Sequence, residues 1–331
     1  MLRLTQANNM EAELAPDSLN SESETAPKRH YKAAAEALFV TVLWASSWVI
    51  IKFGLEGEGL PPITFAGLRY SIAAGILLVI ILSNPMHRAL MRNQDRQWWR
   101  TIFLYGVVFV AITQGAQFIG LDLMDAIPVS MLLNLTPIVV LGLGIILLKE
   151  VPTRTQIGLV FLVVIGAMIY FYPIDLDLSE TVGLIVVLIG VIANAFSSIM
   201  GRSINRERNT PPIVVTGVSM TIGAVILLLT GIALEGLIVV TPIALLYIIW
   251  LSVVNTAFAF TLWNKAMQTL RAVDITVINS TMLPQIVILS IVFLGEALDP
   301  LDWIGLIILA LSVALIQMLQ AGRAANNNKL E

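Results

Sequence analysis

The sequence predicts an all-α membrane protein: ten transmembrane helices arranged as two inverted five-helix repeats. Three observations predict it. Apolar runs long enough to cross a bilayer recur along almost the whole chain, basic residues gather in alternate connections, and landmarks of the first half return in the second. Composition agrees. Of 331 residues, 57% are hydrophobic and 12% charged, with a mean hydropathy of +0.87. A soluble domain carries about 25% charged residues, so this chain lacks the charge to cover a water-facing surface.

A bilayer core calls for about 20 apolar residues per helix. The first such run, 33–53, follows a polar, acidic stretch holding Glu11, Glu13, Asp17, Glu22 and Glu24. That stretch has no apolar signal core, and residues 1–32 read as a disordered cytoplasmic tail. The second run, 62–82, opens at Pro61-Pro62, a favoured helix start. The third, 101–121, follows an arginine-rich connection. The fourth, 126–148, contains Pro137, and the fifth, 153–172, closes a first repeat spanning 33–172. The sixth, 181–201, opens a second repeat spanning 181–320. The seventh, 212–234, again opens at a proline pair, Pro211-Pro212, and the eighth runs over 242–264. The ninth, 273–294, contains Pro284, and the tenth covers 302–320. Residues 321–331 read as a second cytoplasmic tail, with Leu330-Glu331 resembling an expression scar. Continuous runs of this length exclude a membrane barrel, whose strands alternate over about ten residues. Lipid leaves helices as the alternative, because backbone polar groups find no partner in it.

Orientation follows from Lys and Arg. One set of connections, with both termini, holds 17 of the 19 basic residues, among them Arg88, Arg92, Arg96, Arg100, Arg202, Arg206, Lys265 and Arg271. The other set holds acids, including Glu56, Glu58, Asp122, Asp125, Glu235, Glu296 and Asp299, and no Lys or Arg. Ten helices with both termini cytoplasmic, in an inner (plasma) membrane, satisfy that alternation.

The halves echo each other. Trp44-Ala45-Ser46-Ser47 leads to Pro61-Pro62, and Asn194-Ala195-Phe196-Ser197 leads to Pro211-Pro212, 150 residues on. Thr136-Pro137 returns as Leu283-Pro284, and Ile157-Gly158 as Ile304-Gly305, both 147 residues on. Five is odd, so the second repeat must enter from the opposite face. Secondary transporters are commonly built this way, since two such halves can open each side in turn.

Several classes are excluded. There is no cysteine, and the two histidines, His30 and His87, lie in polar stretches, so no metal site is expected. No Walker-type phosphate loop, zinc helix pair or Gly-x-Ser-x-Gly elbow occurs, which argues against an ATP-driven pump and against an enzyme. No cofactor is expected. The formal charge of −3 includes no basic domain for nucleic acid.

These landmarks resemble the EamA branch of the drug/metabolite transporter superfamily. The resemblance rests on Trp44-Ala45-Ser46-Ser47-Trp48, Lys52-Phe53-Gly54-Leu55 and Arg69-Tyr70. It continues through Leu132-Leu133-Asn134-Leu135-Thr136-Pro137, Lys149-Glu150 and Gln156-Ile157-Gly158. In the second half it takes in Asn264-Lys265-Ala266, Leu283-Pro284, Gly295-Glu296 and Asp302-Trp303-Ile304-Gly305. It covers residues 33 to about 320. The family pattern has Gly before the acid where this chain has Lys149. The resemblance implies a central cavity and movement of metabolites, often export of amino acids, with the membrane lipid as the other partner. A lipid-linked-sugar flippase or multidrug carrier of the same superfamily is the alternative, then a membrane enzyme or assembly factor. Monomer and homodimer both fit.

Within that frame certain residues stand out. Arg69 lies about 10 Å into the second helix at 1.5 Å per residue, where a cation costs at least about 2.5 kcal/mol. It reads either as an anchor for a substrate carboxylate or as a gating or structural group. Lys52, at the end of the first helix, is a gate candidate or an interfacial lysine. Ser47, Gln114, Asn134, Asn194, Ser197, Asn255 and Asn279 are polar groups within apolar runs, suited to a zwitterion or to holding helices together. They leave the fifth and tenth helices nearly bare, which places those two at the periphery. Trp44, Trp48 and Trp263 are candidates to line a cavity, with a membrane-interface role as the alternative. Pro137 and Pro284 match in the repeat and mark kinks that serve either as hinges or as static bends. Glu36, an acid inside the first expected span, lies near the cytoplasmic end and reads as interfacial. Gly142, Gly144, Gly158, Gly166, Gly217 and Gly223 suit close helix packing.

Overall fold

The computed structural model describes residues 15–148, 152–173, 176–206, 210–270 and 272–327. It is helical throughout, with no strand among the described residues. Ten apolar helices follow in order: α1 (His30–Gly57), α2 (Pro62–Ser83), α3 (Arg96–Leu123), α4 (Ala126–Ile146), α5 (Arg154–Tyr170), α6 (Leu178–Gly201), α7 (Pro212–Glu235), α8 (Pro242–Met267), α9 (Asp274–Leu294) and α10 (Pro300–Gly322). Nine are long and apolar enough to cross a membrane, and α5 is the shorter one at 17 residues. The helix that forms α1 begins upstream at Ala15, and a short amphipathic helix, Pro85–Arg92, links α2 to α3. The connections alternate between an acidic end and a basic end, and those names are used below.

Each helix starts where its sequence supplies a reason. Asp95 accepts from Trp98 N at the start of α3, and Thr153 forms a reciprocal cap with Gln156 at α5. Thr241 accepts from Ala244 N at α8. Before α6, Asp177 accepts from Glu180 N at 2.7 Å. That bond and one from Ser179 hold its carboxyl below the usual range. The helices α2 and α4 differ: neither Pro61 nor Asp125 caps them through its side chain.

Two helix pairs dominate the packing, α2 on α7 and α5 on α10. Each pairs a helix with its own counterpart in the other repeat, as expected where a pseudo-twofold axis passes between them. Small residues allow the approach. A Cβ on Gly67 would stand 2.6 Å from the Leu228 backbone, and one on Gly231 2.7 Å from the Thr64 backbone. Gly166 and Gly305 face each other across α5 and α10 in the same way. Gly217 and Gly223 also pack closely, whereas Gly142 and Gly158 face open space, contrary to the packing role expected for them. The outward faces of α5 and α10 carry exposed Phe161, Ile165, Met168, Ile307 and Leu311. Lipid would cover these, in line with a peripheral position.

Several helices depart from regular geometry at matching places. Wide turns with i→i+5 bonds occupy Val107–Ile112 in α3 and Val253–Phe258 in α8, 146 residues apart. α4 breaks between Leu133 and Thr136, and α9 breaks at Thr281, each about one turn before its proline. Wide turns free a carbonyl from the ladder and are frequent at functional sites.

Candidate substrate site

α2 and α8 meet through a polar cluster inside the bundle. Arg69 is 5% exposed. Its Nε donates to Thr256 Oγ1 at 3.1 Å, and its carbonyl oxygen lies 2.9 Å from Ser252 Oγ. Thr256 in turn donates to Leu251 O, five residues back, across the wide turn of α8. The guanidinium sits 5.1 Å from the Tyr70 ring centroid and 5.9 Å from that of Phe118. Among the described residues the ion pairs join Lys52 to Glu56, Lys265 to Glu36 and His30 to Asp274, and none reaches Arg69. Its terminal nitrogens therefore meet no carboxylate and no hydrogen-bond acceptor among the described residues. A guanidinium stays charged at any physiological pH, so this is a buried cation held by one neutral hydroxyl and two aromatic faces.

The cluster extends to α3 and α1. Tyr70 Oη donates to Gln114 Oε1 at 2.6 Å. Asn255, beside Thr256 in the wide turn, donates to Leu43 O and, at 3.2 Å, to Ser46 Oγ. Its Oδ1 is buried with no protein partner. Further along α8, Phe260 and Trp263 pack on Trp44, with ring centroids 5.3 and 5.0 Å away. Arg69, Gln114, Asn255, Trp44 and Trp263 thus fall along one polar-to-aromatic seam where α1, α2, α3 and α8 meet.

The other expected residues fall elsewhere. Trp48 is buried in the main apolar core. The hydroxyls of Ser47 and Ser197 donate to carbonyls of their own helices. Asn134 donates to Ser130 O at the break in α4, and Asn194 donates to Thr136 Oγ1, tying α6 to α4. Pro137 offers its carbonyl to Gln320 of α10 at 3.2 Å. Pro284 lines a groove against α10 with Val277, Ala314 and Met318. Asn279 is exposed although it is spaced four and seven residues from the buried Leu283 and Ile286. Lys149-Glu150 lies outside the described residues.

The acidic end is closed by charge and by bulk. Lys52, 4% exposed, reaches Glu56 at 2.5 Å. Glu58 accepts from Thr241 Oγ1. Glu235, ending α7, accepts from Ile63 N (3.0 Å), Thr64 N (2.7 Å) and Thr64 Oγ1 (2.7 Å) at the start of α2. Glu296, between α9 and α10, accepts from Ala126 N (2.8 Å) and Ile127 N (2.9 Å) at the start of α4. Burial pushes the Glu296 carboxyl above its usual range, against the pull of those two amides. Beneath these contacts Phe65, Phe118 and Leu121 are fully buried.

Sequence reasoning missed Tyr70, Phe118, Ser252 and Thr256, and the capping roles of Glu235 and Glu296. For Ser252, Asn255 and Thr256 a signal existed: spacings of three and four put them on one helical face within an apolar run. The glutamates left no local signal: Asp125 before α4 is itself a favoured cap residue, and only the structure shows that its side chain caps nothing.

Ten apolar helices in two repeats, with polar side chains held between them, define a multi-pass membrane protein. A model of the EamA-like transporter family matches residues 32–172 and 181–318, and the chain belongs to that family. An uncharacterized transporter of Archaeoglobus fulgidus is 27% identical over 57% of this chain, which spans 63% of that relative's length. An uncharacterized inner membrane transporter of Salmonella typhimurium is 24% identical, over 88% of this chain and 97% of its own. A probable amino-acid metabolite efflux pump of the same organism is 25% identical, over 82% and 90%. A solved crystal structure shares the fold with a TM-score of 0.61 at 16% identity, covering 88% of this chain and 99% of that one.

Proposed function

We propose that this protein is a secondary transporter that moves small carboxylate-bearing metabolites, amino acids foremost, by alternating access. Arg69 carries the reading: a buried cation with no anionic partner among the described residues. Such a charge is costly in a membrane and marks a substrate or ion path by default. A guanidinium fork matches a carboxylate, and Gln114 and Asn255 supply neutral donors and acceptors nearby for an ammonium or side-chain group. Trp44 and Trp263 offer an aromatic wall. The likeness to an amino-acid metabolite efflux pump supports the same cargo class.

The basic end is the cytoplasmic one by the distribution of Lys and Arg, and transport runs outward. The acidic end is sealed, while Asn279 stays exposed on the core-side face of α9, which favours a state open toward the cytoplasm. Lys52 and Arg69 govern the sealed side, and the breaks before Pro137 and Pro284 let α4 and α9 bend as the repeats rock. Glu36 sits in an ion pair with Lys265 at 3.1 Å. That pairing supports an interfacial role and a carrier not driven by a deep carboxylate.

The test is counterflow of labelled amino acids in liposomes, with and without a proton gradient. Saturable exchange, lost in Arg69→Ala and partly kept in Arg69→Lys, is expected. Full exchange by a folded Arg69→Ala protein removes Arg69 from the site. No exchange of any amino acid by folded wild type moves the cargo to apolar drugs or lipids.

A further inference from the structure

We propose that Glu235 and Glu296 are two bolts that hold the acidic end of the bundle shut, each a carboxylate of the second repeat capping a helix of the first. The unsatisfied amides at a helix start carry partial positive charge, and charge-assisted bonds to them are strong. Four helix starts in this chain satisfy those amides locally, through Asp95, Thr153, Asp177 and Thr241. α2 and α4 do not. Their caps come instead from more than 165 residues away in sequence, in five hydrogen bonds between the repeats.

That choice has a mechanical consequence. A local cap moves with its helix, but a cap from the other repeat breaks when the repeats separate at that end. Both bolts lie at the same end. Glu235 bonds Thr64, beside Phe65 of an apolar plug that includes Phe118 and Leu121 and packs on Arg69 through Phe118. Glu296 caps α4 at Ala126, in the same apolar core as that plug. The basic end lacks the counterpart of Glu235. The repeat offset of 150 places Pro85 there, beside Asn84, which caps its own short helix through Met86 N. α7, the repeat mate of α2, starts at Pro212 with no side-chain cap from Pro211. The Glu235 bolt is therefore one-sided, whereas Glu150, the repeat counterpart of Glu296, lies outside the described residues; both bolts rest on the alternating-access reading above.

The chain contains no cysteine, so one introduced thiol reports opening without background. Leu121 is fully buried and sits on the α3 face of Gln114 and Phe118, nearer the acidic end. Labelling of Leu121→Cys by a membrane-impermeant maleimide is followed in detergent, where both ends meet the reagent. Slow labelling is expected in this parent. Glu235→Ala and Glu296→Ala should each speed it about tenfold, and Asp299→Asn, an exposed acid at the same end, should not. Thr64→Val removes only the hydroxyl bond onto Glu235 and keeps the packing, so it gives a smaller rise even where the alanine variants fail to fold. Labelling at the parent rate in every folded variant overturns the bolts and leaves alternating access standing. A parent that never labels, beside variants that do, keeps the bolts and overturns alternating access.

Discussion

At the acidic end of the bundle, Glu235 and Glu296 tie two helices across the repeats, Lys52 is buried against Glu56, and aromatic and leucine side chains fill the space beneath. At the basic end, the links from α1 are the exposed Lys265–Glu36 pair and His30–Asp274 at 3.8 Å, over a small cluster of Ala33, Ala37, Ala266 and Leu270. The contrast is one of depth. Glu235 and Glu296 at the acidic end are half-buried and bonded to backbone, so removing one leaves orphaned amides. Lys265 at the basic end stands largely in water, and its pair with Glu36 costs little to separate. An inverted repeat makes the two ends equivalent in topology, and side chains make them unequal in strength.

The largest effect should come from backbone packing under the bolts. Gly231 lies one turn before Glu235, and a Cβ there would meet Thr64 Oγ1 at 2.6 Å and its backbone at 2.7 Å. Gly231→Ala should destabilise the protein by about 1–3 kcal/mol through overpacking and displace Thr64 from Glu235. Gly158→Ala, where nothing lies within 4 Å of the added carbon, should stabilise by about 0.5–1 kcal/mol through helix propensity. Apparent unfolding temperatures in one detergent would order the pair. Equal shifts would show that the two ends differ less in packing than the distances imply.

The architecture was legible in the sequence because lipid imposes a simple rule. Spans must be apolar and about 20 residues long, and Lys and Arg alternate sides. Both signals survive in nine of the ten segments, α5 being shorter at 17 residues. The cluster around Arg69 was only half legible. Arg69 and Asn255 stand out as polar residues in apolar runs, but Tyr70 and Phe118 look like ordinary membrane aromatics until the fold sets their rings beside the guanidinium. Ser47, Ser197 and Asn134 were equally conspicuous in sequence, yet their side chains bond to carbonyls of their own helices. Polarity in a span marks a group that needs a partner and does not say whether that partner is a neighbour, another helix or a ligand. The bolts were least legible, because a cap from the other repeat leaves no local pattern.

A middling effect is expected from pH. Burial raises the Glu296 carboxyl while the acidic end is closed, and the same group regains its ordinary value once opened to water. The closed form thus binds the proton more tightly. Acid favours closure, and that contribution fades as pH rises through the raised value. Asp125 reinforces the shift and Lys52 opposes it, while Tyr170 also faces the carboxylate. Leu121→Cys labelling, normalised to an exposed cysteine at each pH, should therefore be slower at pH 5.5 than at pH 8. Glu296→Gln keeps one carbonyl acceptor with no charge to bury, so it should keep the end closed and flatten that profile. An unchanged profile in Glu296→Gln would move the titration to another group.

The smallest effect should be found at Lys265. Its side chain is 63% exposed and its partner Glu36 20% exposed, and a pair in that setting contributes about 0–1 kcal/mol. Lys265→Ala should shift the apparent unfolding temperature only slightly and leave Leu121→Cys labelling at the parent rate. Added salt should erase what difference remains, because exposed charges are screened within about 8–10 Å. The bolts, bonded to backbone amides and half-buried, should resist the same salt. A Lys265→Ala protein as unstable as Glu296→Ala would mean that the basic end carries as much of the closure energy as the acidic end. The inequality between the ends would then lie in packing alone.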